Sequence, residues 1–124
     1  MSSTRTLSMQ ATAAVDLSGH RVVTPLPDGS VRYAASNRML DRWAPLWLTA
    51  GAASAGGLVE VVTRGPIDEP SWSWTVGPVY LSEEGRLTQA APSRPRFMFV
   101  AQVGTATSPT SVFVDRFQSV VLAP

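Results

Sequence analysis

The chain of 124 residues contains no cysteine, which excludes disulfides, thiolate metal sites and thiol nucleophiles. It also contains no lysine, and all ten basic residues are arginine. A phosphate-cradling G-x-x-x-x-G-K-[ST] loop is therefore impossible. Charge of either sign is scarce, at 15% of residues with a net charge of +1, where an ordinary globular chain carries about a quarter. No block of like charge provides a footprint for a phosphate backbone, so nucleic acid is not an expected partner. No apolar run approaches the ~20 residues that cross a bilayer. The opening "MSSTRTLSMQATAAVDLSG" lacks the unbroken apolar stretch of a signal peptide, so no membrane partner is expected and synthesis in the cytoplasm is.

Catalytic groups are equally sparse. His20 is the only histidine, and no G-x-S-x-G nucleophile elbow accompanies it, which makes it a structural or surface residue. Asp68 and Glu69 are adjacent and point to opposite faces of an extended segment. Glu83 and Glu84 precede Gly85 in a turn. Asp16, Asp28, Asp41, Glu60 and Asp115 stand alone, with no D-x-D-x-D spacing for a cation. These patterns lead to the expectation of a protein that is not an enzyme and carries no cofactor or metal.

What the chain has in quantity is β grammar. Ten prolines and nine glycines fall almost wholly between short apolar segments, as turn chemistry requires. "HRVVT" and "SVRYAA" flank "PLPDG", a hairpin signal. "PLWLTAG", "LVEVVTRG", "SWSWT", "PVYLS", "RLTQ", "FMFVAQVGTAT", "SVFVDRF" and "SVVLA" read as further strands. "SNRMLDRWA" is long enough for one helical turn, with Ser36 as its cap. Strands of this length at this spacing predict an all-β fold, a small antiparallel sandwich or barrel. Residues 1–16 are small and polar and read as a flexible N-terminal arm; residues 17–124 read as a single β domain.

The aromatics admit two readings. Trp72 and Trp74 are two apart, so on a strand both leave one face; they either fill a core or subunit interface, or form a stacking platform for a sugar or a base. Trp43 and Trp47 are four apart and share a face only in a helix. The expected core comprises Val61, Trp72, Trp74, Val79, Leu81, Phe99, Val103, Phe113 and Val114, with Trp43, Trp47 and Tyr80 in the core or at an interface. Phe113 and Val114 are neighbours and cannot both face one core, so an interface is expected to cover one of them.

The order of four segments carries a resemblance. "LSGHRVV", "LWLTAGAASAGGLVEVVTRG", "EPSWSWTVGPVYLSEEGRLTQ" and "VAQVGTATSPTSVFVDRFQSVVLA" together resemble a module of tailed-bacteriophage virion proteins, the capsid-decoration (cement) and head-fibre proteins, with related modules in phage tail proteins. The match runs from Leu17 to Ala123. It implies a non-enzymatic homotrimer on the outside of the virion, with the major capsid protein as partner and the N-terminal arm, through Arg5, Leu7 and Met9, as anchor. Tail proteins are the alternative partner, and a carbohydrate-binding host-adsorption module is the alternative of a different class.

Overall fold

The longest strand organises the molecule. The computed structural model describes residues 6–117 and 119–123, and within them the eleven-residue β5 (Leu58–Asp68) is shared by two sets of strands. Its first half pairs with both β1 (Leu7–Thr12) and β4 (Trp47–Thr49). Its second half pairs with β10 (Ser111–Val114). The halves meet at Gly65, whose φ of 117° lies in a region that L side chains avoid. Pro66 follows without an N–H to donate, so the strand bends there and changes partners.

On one side the sheet continues from β4 to β2 (Val22–Pro25) and β3 (Val31–Tyr33). On the other it runs from β10 to β9 (Gln102–Ser108), β6 (Gly77–Leu81) and β7 (Leu87–Thr88). A separate pair joins β8 (Phe99–Val100) to β11 (Val120–Val121). All strand pairs are antiparallel, and the large sheet curls into a half-barrel. The fold is all-β.

Two ties draw the edges of the curl inward. After β1, Ala13 bridges Val31 of β3 in parallel, and the Ala14 N–H donates to the Val31 carbonyl at 2.9 Å. The set β1, β5, β4, β2, β3 thereby returns on itself around Ala11, Ala13, Leu17, Val23, Val31, Val59 and Val61. The second tie is the turn between β6 and β7. Glu84 and Gly85 both have positive φ, 54° and 71°, as a type I′ hairpin turn requires. The Gly85 N–H donates to Ala34 O and its carbonyl accepts from Val22 N–H, both at 2.7 Å. The turn is thus pinned to β2 and the end of β3, closing a larger core that includes Val22, Leu48, Val62, Val79, Leu81, Phe99 and Val114.

Several expectations are corrected by this arrangement. Residues 7–12 of the expected arm form an edge strand, because the Ala11 and Ala13 side chains are needed to cap the smaller core. "SWSWT" forms no strand: the Trp72 N–H donates to Glu69 O and the Trp74 N–H to Pro109 O, so no ladder forms. "SNRMLDRWA" supplies a single 3-10 turn at Met39–Asp41. Ser36 does not cap it; Ser36 is buried and its N–H and hydroxyl both donate to Ser82 O.

Candidate functional site

The expected core residues divide by position. Val61, Val79, Leu81, Phe99, Val103 and Val114 are buried. Phe113 is not part of the core: in β10 the buried residues are Val112 and Val114, and Phe113 faces outward, half-buried, with the Arg64 guanidinium 5.4 Å above its ring. Tyr80 is half-buried. Trp47 is half-buried against the smaller core. Trp72 and Trp74 are half-buried too, and they seal the rim of the larger core rather than filling it. Trp43 departs furthest, at 59% exposed.

Trp72 and Trp74 belong to a cluster. Their ring centroids are 5.8 Å apart with planes at 55°, so they form no flat stacking platform. His20 meets Trp72 edge-on at 5.2 Å and takes a left-handed φ of 59°. Its Nδ1 lies 3.9 Å from Glu69 Oε1, beyond hydrogen-bond reach. Glu69 also accepts the Ser71 N–H at 2.9 Å. Hydrogen bonds from Ser71, with help from the nearby His20 charge, hold the Glu69 carboxyl below its usual range. The cluster fastens the unpaired 69–75 segment to the residue that enters β2.

A second constellation is entirely tertiary. Asp41 is 1% exposed and receives both Arg32 terminal nitrogens, at 2.8 and 3.2 Å, and the Ala35 N–H at 2.9 Å. This two-pronged pair holds the 3-10 turn against β3, and thereby sets where Trp43 stands.

Trp43, Ala44, Pro45, Arg116, Phe117 and Ser119 line a cleft of about 340 Å³. Arg116 is its charged lining residue. Its Nε donates to Ala44 O at 3.3 Å, its Nη2 to Arg42 O at 3.0 Å and Ser119 Oγ at 2.9 Å, and its Nη1 to Phe117 O. Burial lowers its pKa from the usual arginine value. Trp43 and Phe117, 59% and 41% exposed, form apolar walls. Arg116 is not singled out by the sequence, and no local pattern could do so, since two of the three carbonyls it grips are 72 and 74 residues away.

The anchoring residues of the expected arm lie apart from both sites. Leu7 and Met9 are on β1, 52% and 45% exposed; Arg5 lies outside the described residues. Two further hollows, of about 430 and 470 Å³, lie beside Gln10, Asp28 and Leu58 and along the 90–97 loop. Among the described residues no three His, Asp or Glu side chains converge as metal ligands, and no helix is long and apolar enough to cross a membrane. No family model, no curated protein and no solved structure matches the chain.

Proposed function

We propose that this chain is a non-enzymatic structural subunit of a tailed-bacteriophage virion, a capsid-decoration or head-fibre protein that binds the assembled head. The observation that carries the reading is the apolar side chains left in solvent by a β domain with little charge. Leu7, Met9, Leu40, Trp43, Leu58, Val76, Phe117, Val120 and Val121 are each more than two-fifths exposed. They lie on β1, on β11, at the start of β5 and in the connections between strands, and large apolar groups left in solvent suit surfaces that partners cover. The sequence resemblance supplies the kind of partner: the major capsid protein and further copies of the chain. The mechanism is linkage. A subunit that binds only the assembled shell favours it over its dissociated parts, and symmetry multiplies individually weak contacts.

Leu7 and Met9 keep the anchoring role, exercised from a folded edge strand. An edge strand presents preformed backbone, so docking through it carries less ordering entropy than docking through a free arm.

The test is co-sedimentation of the purified protein with tailless heads stripped of it, with its mass in solution measured alongside. Saturable binding that raises the thermal resistance of the heads is expected, weakened in Leu7→Ser and Met9→Ser. Binding to tails alone would move the subunit to the tail, and binding to neither would reject the virion reading.

A further inference from the structure

The Arg116 guanidinium has an unusual environment for a charge. Three of its hydrogen-bond partners are main-chain carbonyls and one is the Ser119 hydroxyl. These are neutral dipoles. The ion pairs among the described residues are His20–Glu69, Arg32–Asp41, Arg64–Asp115 and Arg96–Glu83, so none of the described carboxylates lies within 4.0 Å of Arg116. A half-buried charge that has lost part of its hydration is stabilised most by a counter-charge. Among the described residues, four of the five guanidinium N–H groups are engaged and one on Nη1 has no partner.

The walls of the same cleft are apolar and aromatic. A second cation lies beside them, since the Arg42 guanidinium sits 5.7 Å from the Trp43 ring centroid. Arg42 donates to Met39 O and also has no carboxylate partner among those four pairs. Two cations beside an exposed tryptophan and an exposed phenylalanine complement a ligand that is both acidic and apolar.

We propose that the Trp43–Phe117 cleft docks an acidic-apolar segment of a partner protein, its carboxylate on Arg116 and its neighbouring apolar side chain between the two rings. A protein segment fits better than a free metabolite. The cleft leaves Trp43 mostly in solvent, whereas small-molecule sites enclose most of their ligand. An exposed aromatic beside an arginine is also the usual composition of a protein-binding hot spot. This proposal does not depend on the virion reading, since it specifies the chemistry of the contact and not the assembly.

The probes are two dipeptides, acetyl-Leu-Glu-amide and acetyl-Leu-Gln-amide, titrated into the labelled full chain by NMR. The acidic peptide is expected to shift the Trp43 indole and Arg116 Nε signals saturably. The neutral peptide should bind about tenfold more weakly or worse, the loss of one charge-assisted hydrogen bond. Trp43→Ala should abolish the shifts. Because Arg116→Leu removes a clamp and could unfold the chain, Arg42→Gln is the second variant, expected to weaken the acidic peptide alone. Equal affinity for the two peptides, or shifts at Trp72 instead of Trp43, would overturn the assignment. So would self-association abolished by Trp43→Ala, because a second copy would then occupy the cleft.

Discussion

Gly85 and Gly29 form a natural experiment on how the hairpin turn holds the fold closed. Both have positive φ, 71° and 87°, so Gly→Ala carries a similar conformational penalty at each, about 1 kcal/mol. Their surroundings differ. A Cβ at position 29 meets nothing within 4 Å, whereas at position 85 it falls 2.6 Å from Val22 O and 2.7 Å from Tyr33 Cδ1. The first of these is backbone and cannot swing aside. The turn must therefore lift, stretching two buried hydrogen bonds, each worth about 1 kcal/mol and more if its groups are left unpaired. We expect Gly85→Ala to cost about 3–6 kcal/mol and Gly29→Ala about 1. Total stabilities are typically about 5–15 kcal/mol, so Gly85→Ala removes a large share. With a urea slope of about 2 kcal/mol per M, its unfolding midpoint falls by roughly 1.5–3 M. Denaturation followed by tryptophan fluorescence measures both variants. Equal losses at the two positions would refute the idea that contact with β2 and β3, rather than backbone conformation alone, makes position 85 glycine.

Three further outcomes are expected. Asp41→Ala strands Arg32 and the Ala35 N–H in a buried site and should cost about 3–5 kcal/mol, with Arg32→Leu in the same chain restoring part of it; additive losses in a double-mutant cycle would count against the pair. Starting the chain at Ala13 should lower the melting temperature sharply because β1 covers the smaller core, whereas a free arm would leave it unchanged. Glu69 and Asp28 are both held below their usual range by hydrogen bonds, from Ser71 and Ser30 respectively. A depressed carboxyl stabilises the fold above its unfolded pKa and loses that contribution as pH falls through the folded value. Acid titration should therefore show stability decreasing below about pH 4, and Ser71→Ala should raise the Glu69 pKa in an NMR titration; an unmoved pKa would show that the Ser71 hydroxyl is not a cause.

The strand content was readable because β-strands write themselves locally. Alternation in "SVFV" and the glycine after Glu83-Glu84 need only neighbouring residues to be understood, and both matched the structure. "SWSWT" shows the limit. Its alternation is real, since Trp72 and Trp74 turn in while Ser71, Ser73 and Thr75 are exposed. The segment nevertheless lacks a strand partner, and pairing is not encoded in one segment's pattern. Phe113 and Val114 show what the pattern leaves open: only one of the two can face the core, and the structure turns Val112 and Val114 inward and Phe113 outward.

The sequence by itself determined the all-β class, most of the turns and the poverty of charge, each a matter of local propensity or composition. Only the tertiary structure decided that residues 7–12 pair with β5 over the smaller core, that Gly85 pins one end of the curled sheet to the other, and that Arg116 lines an aromatic cleft. Those features join residues tens of positions apart, through contacts that exist only once the sheet has curled around Gly65 and brought its edges together.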